Sequence, residues 1–489
     1  MSLPPLTIRN LTSTPTELKV VERYESPTPL EENNGNIANA TIANVTKTFT
    51  SLMSNVTSRG APSPSPTQLA SLSESHSSQD VSVPIQPFEE KGTDIQRGVN
   101  EVLRLTFKTE GQRYKLEGPT ATRKTIVLTP MSPDPKHEYT AVYISRENYI
   151  ALYSSAALDH WMAKIRDDAP LSALSIPGTH NSPTCHTALP SVRCQAVDVP
   201  EQLNNGVRFL DIRVQPENPD DSNNDRLILV HSAFPISLTG NKYFRDLYNQ
   251  VKEFLDRNPA ETVIISLKRE GTGKATDQQL SRILHNHYAN ESDRWYTEPR
   301  IPTLGEVRKK IVLVRRFGMD DSLRGEHDGR GWGIDGSSWP DNCEDGLCGS
   351  GDIRVQDFYE VEESKNIDKK VTFAVGHLER SGACVCSLPG QGQDAAQAAQ
   401  QEAAKQPLFI NFLSASNFFS PSCWPDRIAA KVNPHVIEYL CKGHNSDGQG
   451  KTVGDGCTGI VVCDWVGDRG DWDLVRCVVG HNAKLEMRG

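Results

Sequence analysis

Six short apolar segments in the second two-thirds of the chain each carry, or run into, a side chain that can move a proton or hold an anion. His180 follows Ala173-Leu-Ser-Ile176 across a Pro-Gly break, and Asp211 and Arg213 lie in Phe209-Leu-Asp-Ile-Arg213. His231 ends Leu227-Ile-Leu-Val230, and Lys268 ends Thr262-Val-Ile-Ile-Ser-Leu267. Arg315 and Arg316 end Ile311-Val-Leu-Val314, and Asp464 ends Gly459-Ile-Val-Val-Cys463. Alternation along a strand puts Asp211 and Arg213 on one face and Arg315 and Arg316 on opposite faces. A charge at one strand end is ordinarily the solvated rim; the same feature at six ends points to one constellation. Two histidines can divide the base and acid roles, carboxylates can fix an imidazole tautomer, and an arginine can hold a phosphate. That set suits phosphodiester chemistry: one ring takes a proton from an attacking hydroxyl, the other protonates the leaving alkoxide, and the guanidinium meets the charge on the nonbridging oxygens.

The elements that must position these groups follow from periodicity. The segments above, together with Leu408-Phe-Ile-Asn-Phe412, alternate with helical patterns at Phe244 to Arg257, Asp277 to His287 and Pro434 to Cys441. This predicts an α/β unit over residues 156–489, a single TIM-type (β/α) barrel with its active groups at the C-terminal strand ends. Upstream, alternating apolar and polar residues at Leu6 to Asn10 and Leu18 to Tyr24 predict a hairpin, and further strands are expected at 102–107, 125–128, 139–144 and 149–153. Residues 1–26 and 98–155 are thus read as a β-sandwich-like module, either membrane- or partner-binding or simply stabilising the barrel. Its interruption, residues 27–97, is rich in Ser, Thr, Pro, Asn and Gly and is predicted to be a disordered insertion. The Ala- and Gln-rich tract from Gln391 to Gln406 is a low-complexity excursion without assigned chemistry.

A formal net charge of −10 offers no global basic field, which argues against nucleic acid and leaves local arginines and lysines to meet an anion. No apolar run reaches the length of a membrane span, and Met1 to Leu6 lacks a basic segment leading into an apolar core. The chain is therefore expected to be cytoplasmic, meeting membranes only peripherally. The eleven cysteines show no paired clusters with zinc-like spacing; Cys384 with Cys386 and Cys343 with Cys348 come nearest, and free thiols are the default.

From Trp161 to about Cys477 the chain resembles the phosphatidylinositol-specific phospholipases C, particularly the metal-independent bacterial type and its fungal relatives. The resemblance rests on Pro170-Leu-Ser-Ala-Leu-Ser-Ile-Pro-Gly-Thr-His-Asn-Ser182, Gly206-Val-Arg-Phe-Leu-Asp-Ile-Arg213, Leu229-Val-His-Ser232, the run from Asn258 to Glu270, Lys310-Ile-Val-Leu-Val-Arg-Arg-Phe317, Val355-Gln-Asp-Phe-Tyr359, Phe409 to Ser416 and Gly459 to Asp464, in that order. It implies a distorted (β/α) barrel that releases diacylglycerol through attack of the inositol 2-hydroxyl on phosphorus, giving a cyclic inositol phosphate. Carried over by position, His180 resembles the general base and His231 the general acid. Asp464 would orient His180, Asp211 would support the acid, and Arg213 would grip the phosphate. Lys268, Arg316 and Asp357 would bind inositol hydroxyls, with Tyr359 stacked on the ring.

Asn181 departs from the bacterial pattern, which usually places an aspartate after the first histidine. Calcium-dependent relatives have an asparagine there as a metal ligand, but Arg213 puts a fixed cation where they place a calcium-binding carboxylate. The expectation is a phosphoinositide substrate bound in part by Asn181, with no metal or cofactor, calcium being the alternative, and no protein partner that the sequence identifies. Competing readings are a phosphodiesterase for another glycerophosphodiester or phospholipid, and a weakly active lipid-binding scaffold. Asn417-Phe-Phe-Ser-Pro-Ser-Cys-Trp424 is either a rim loop that inserts into a bilayer interface or a set of rings packed beneath the loop.

Overall fold

The computed structural model describes residues 3–25, 75–98, 101–118, 125–221, 223–361, 366–386, 406–446 and 454–487. Alternating apolar positions at the amino-terminal end form two five-stranded sheets. The first contains β1 (Thr7–Asn10), β4 (Glu90–Gly92), β7 (Thr125–Val127), β9 (Thr140–Ile144) and β10 (Tyr149–Tyr153) in the order β4-β1-β10-β9-β7. The second contains β2 (Thr16–Glu25), β3 (Ser77–Ile85), β5 (Glu101–Thr109), β6 (Gln112–Gly118) and β8 (Thr129–Pro130) in the order β3-β2-β5-β6-β8. Leu6, just before β1, and Ile8, Ile150 and Leu152 of the first sheet share a core with Leu18, Val21, Leu105, Phe107 and Leu116 of the second.

Two expectations change here. β1 and β2 are not a hairpin: β1 runs parallel to β10, while β2 lies between β3 and β5. The chain changes sheets in a turn that the Asn10 side chain ties down, accepting from the Thr12 N–H at 3.1 Å and donating to the Thr14 carbonyl at 2.8 Å. The predicted disordered insertion also ends early, because β3 and β4 fall inside it. Polar composition hid the alternation of Val81, Val83 and Ile85, whose apolar side chains pack on the shared core. Residues 27–74 of the insertion lie outside the described residues.

The other face of the first sheet packs on the α/β unit, with Val142, Tyr149, Ala151 and Tyr153 in one core with Trp161, Cys477 and Val478. Arg9 crosses this contact and donates to the carbonyls of Cys441 at 3.0 Å and His444 at 2.9 Å.

In the α/β unit, β11 (Ile176–Thr179), β12 (Phe209–Pro216), β15 (Val263–Arg269), β17 (Ile311–Arg316), β20 (Ile353–Gln356), β21 (Leu408–Phe412) and β22 (Ile460–Cys463) run parallel. Their interiors are apolar and buried, as strands covered on both faces require. The order β17-β15-β12-β11-β22-β21-β20 follows the chain around a curl and brings the last strand beside the first. Among the described residues no ladder joins β17, or β18 (Ile334–Asp335) beside it, to β20. Among the described residues the sheet is therefore a curled α/β sheet open at one seam, where a distorted (β/α) TIM-type barrel was expected. Between β18 and β20 the run from Gly336 to Gly351 is rich in Gly, Ser, Asp and Asn and is poor strand material.

Three local expectations are displaced. Leu171–Ala173 forms a 3-10 turn and β11 starts at Ile176, so Pro177 and Gly178 lie inside the strand and His180 follows it directly. A Cβ on Gly178 would come within 2.9 Å of the Phe209 ring, which is why β11 and β12 need glycine there. The helix expected at Pro434 to Cys441 is the second half of Pro425–Lys442, which carries Pro434 internally. The helices Phe244–Arg257 and Asp277–His287 stand as expected, the second opened by a Thr276/Gln279 capping box. β13 (Leu227–His231) is antiparallel to β12, so the pair rises past the sheet rim and returns His231 to it.

Just before β12 and β15, Arg208 and Glu261 form an ion pair of 2.8 Å with neither side chain exposed. Arg208 also donates to the carbonyls of Leu203, Val207, Leu158 and Asp159, and Glu261 accepts from the Met162 N–H, so the charges are fully hydrogen-bonded. No helix among the described residues is long and apolar enough to cross a membrane.

Candidate active site

Strand register assembles the site. One residue beyond the pairs Thr179–Leu210 and Thr179–Cys463, His180 comes level with Asp211 and Asp464. Two residues further along β12, Arg213, Lys268 and Arg316 are register partners on adjacent strands, which puts three cations in one row. Asp357 follows β20 from across the curl.

His180 Nδ1 lies 2.9 Å from Asp464 Oδ1, and the ring is nearly buried. Burial alone would lower its pKa, but the Asp464 carboxylate and then the Cys194 thiol outweigh it and hold the ring up to about 10. His231 reaches the same place from the β12–β13 return, with Nδ1 2.7 Å from the Val192 carbonyl. The two imidazole centroids are 5.9 Å apart and nearly perpendicular. Asp211 is fully buried and does not touch His231, as a carboxylate supporting the acid would. Its oxygens accept from Arg213 Nε and Nη2, each at 3.2 Å, from Arg316 Nη1 at 3.2 Å and from the Asn181 N–H at 3.1 Å. Burial opposes ionisation, yet Arg213 and Arg316 hold Asp211 well below the usual carboxylate range. The carboxylate thus braces the Arg213 guanidinium, and the Val192 carbonyl lies beside His231 where that carboxylate was expected.

Arg316 points inward, stacked 3.9 Å over the Trp339 ring, with Asp357 Oδ2 at 3.9 Å. Arg315 points away to Asp335 at 2.9 Å, as alternation requires. Lys268 is half-exposed and pairs with Glu270 at 3.0 Å. Tyr359 OH donates to Asp341 at 2.9 Å, a contact apart from the histidines. Asn181 sits at φ 42°, a left-handed conformation that asparagine tolerates, and its Nδ2 lies 3.0 Å from His180 Nε2.

Four contributors escaped the sequence reading. Glu270, the last residue of one quoted run, accepts from Arg213 at 2.8 Å, Lys268 at 3.0 Å and the Ser232 N–H at 2.8 Å. Burial opposes its charge, but Arg213 and Lys268 bring its pKa down to about 2. Trp339 donates to Asp357 at 3.0 Å. Lys370, fully buried and lowered to about 7 by that burial, donates to Gln356 and to the Phe358 carbonyl, fixing the turn that carries Asp357. Cys194 lies in a loop fastened across both histidines. Val192 O meets His231, Gln195 Nε2 donates to the His180 carbonyl at 2.7 Å, and Cys194 Sγ is 3.8 Å from His231 Nδ1. Burial and Asp464 raise the Cys194 thiol, but His231 and His180 bring it down to about 7. None of the four carries a sequence signal of its own, since loops and cross-strand register alone bring them in.

Beside His231, its register partner Phe234 in β14 (Phe234–Pro235) stacks on Phe418 at 5.1 Å with the planes 9° apart. Phe419 is 90% exposed and Leu238 64% exposed. The open question about the 417–424 loop divides within it, because Cys423 is buried while Phe418 and Phe419 face out.

Residues 167–317 match the family described as phosphatidylinositol-specific phospholipase C, X domain. The chain is 27% identical over 327 residues to a 1-phosphatidylinositol phosphodiesterase of Staphylococcus aureus, covering 64% of this chain and 90% of that protein. It is 28% identical over 215 residues to a human PI-PLC X domain-containing protein, covering 37% of this chain and 63% of that one. A solved double mutant of the Staphylococcus aureus phosphatidylinositol-specific phospholipase C shares the fold at a TM-score of 0.51 and 24% identity, over 67% of this chain and 97% of the other. The family match spans β11 to β17, and over about two-thirds of its length the chain is similar to phosphatidylinositol-specific phospholipases C.

Proposed function

We propose that the chain cleaves phosphatidylinositol to diacylglycerol and a cyclic inositol phosphate without a metal cofactor. The observation that carries this reading is the pair of imidazoles 5.9 Å apart, each tied through Nδ1, to Asp464 and to the Val192 carbonyl. His180 Nε2 takes the proton of the inositol 2-hydroxyl as that oxygen bonds to phosphorus. The bond from phosphorus to the glycerol oxygen breaks, and His231 Nε2 supplies the proton that the glycerol oxygen needs. Arg213, braced by Asp211 and Glu270, meets the charge on the nonbridging oxygens. Lys268, Arg316 and Asp357 bind inositol hydroxyls, Tyr359 offers a ring face and Asn181 borders the phosphate.

Calcium does not suit this donor set. The carboxylates of Asp211 and Glu270 that would ligate it are already engaged by Arg213, Arg316 and Lys268. Phosphatidylinositol vesicles in excess calcium chelator should yield cyclic inositol phosphate by phosphorus NMR. No product, or product only after calcium is restored, overturns the reading.

A lipid substrate accounts for the aromatic rim beside His231, which enters the interface while the charged row stays in water. Phe419→Ser is expected to reduce vesicle partitioning and turnover on vesicles by about ten- to a hundredfold, given ~1.5–3 kcal/mol for burying a phenyl ring. Turnover of a soluble glycerophosphoinositide should stay unchanged, and sedimentation with vesicles checks the first effect.

A further inference from the structure

The thiol between the two histidines has no part in the proposed reaction. One potential ligand atom each from His180, Cys194 and His231 lies within 4.8 Å of the others. Two nitrogens and one sulfur form the donor set of open zinc sites, whose ligands stand roughly 3.5 Å apart at bond lengths of about 2.0–2.3 Å. Asp464 holds Nδ1 of His180 as outer carboxylates hold metal-ligating imidazoles, and the Cys194 thiol lies 3.8 Å from Nδ1 of His231.

A second, independent observation is Asn181. Its side chain is 1% exposed, its amide end lies against His180, and its carbonyl oxygen is buried with no hydrogen-bond partner. A water completing a tetrahedral ion can donate to it. Among the described residues, the cysteine pairs singled out by spacing, 343 with 348 and 384 with 386, belong to no such group of ligand atoms, and the acidic groups around Arg213 are taken by cations.

We propose that His180, Cys194 and His231 bind a thiophilic divalent transition ion, of which zinc is the natural candidate, and that occupancy shuts off the phosphodiesterase centre. Binding forms a sulfur–metal bond and two nitrogen–metal bonds, and the thiol proton and any imidazolium proton pass to solvent. The inhibitory half rests on the reading of the two histidines as base and acid, because an ion held by both rings ties up the imidazoles and fills the space between them that the phosphodiester would enter. The ion is a brake, distinct from a cofactor, since the metal-free site is the one proposed to turn over.

The test is cobalt titration of the full-length protein after chelator treatment. One equivalent should produce a near-ultraviolet thiolate-to-cobalt charge-transfer band that zinc displaces. Cys194→Ser should abolish the band, His231→Gln should weaken cobalt binding, and Cys384→Ser should leave it intact, with circular dichroism confirming that each variant is folded. Absence of the band in the native protein, or its survival in Cys194→Ser, overturns the site. With phosphatidylinositol as substrate, saturating zinc should reduce turnover to background and chelator should restore it; full turnover in saturating zinc overturns the brake. Failure of the metal-free protein to hydrolyse phosphatidylinositol contradicts the proposed function and leaves the cobalt result standing.

Discussion

His180→Ala and His231→Ala are each expected to lower kcat on phosphatidylinositol by about 10²- to 10⁴-fold, the range for a positioned acid or base. Vesicle binding should persist, because the aromatic rim and the Arg213–Lys268–Arg316 row are untouched. The pH profile separates the two roles. In the proposed reaction His180 would work as a base only after losing the proton that Asp464 and Cys194 help it retain, so turnover should climb with pH beyond the range of an ordinary histidine toward its raised pKa of about 10. Asp464→Asn removes the nearest anion and should move that rising limb toward lower pH while lowering its plateau. A limb that stays in place after Asp464→Asn removes His180 from the role of base.

The second large effect concerns stability. Arg208→Leu leaves Glu261 buried and unpaired beneath β12 and β15, and is expected to lower unfolding stability by about 3–5 kcal/mol. Glu261→Leu should cost a similar amount, because the guanidinium keeps its carbonyl partners but loses its counter-charge. The double replacement should be less damaging than the two single effects summed, since no lone charge is left inside. Urea midpoints followed by tryptophan fluorescence measure all three. Additive losses would show that the pair is not coupled.

Strands whose apolar run is continuous and helices whose stripe is regular were legible locally, as Val263–Arg269, Ile311–Arg316 and Phe244–Arg257 show. β3 was hidden because serines and charges dominate the composition around its few inward valines. The partner of β1 was hidden because sheet membership depends on pairing Thr7 with Tyr149, far apart in the chain, whereas alternation is local. The same limit applied within the site. The residues at the ends of β11, β12, β15, β17 and β22 could be named from spacing, yet Asp211 was assigned to the wrong neighbour.

The chemistry-bearing types and their order along the chain are properties of the sequence: two histidines, an arginine two residues from an aspartate, and a final aspartate after the last strand. A parallel sheet that brings each strand's C-terminal end to one rim turns such an order into one place. Which partners meet there was decided by tertiary structure alone. The open seam, the return of β13, the bracing of Arg213 by Glu270 and the seating of Cys194 between the histidines all depend on register and on loops crossing the rim. Those distances are set by packing between segments far apart in the chain, and no spacing within one segment encodes them.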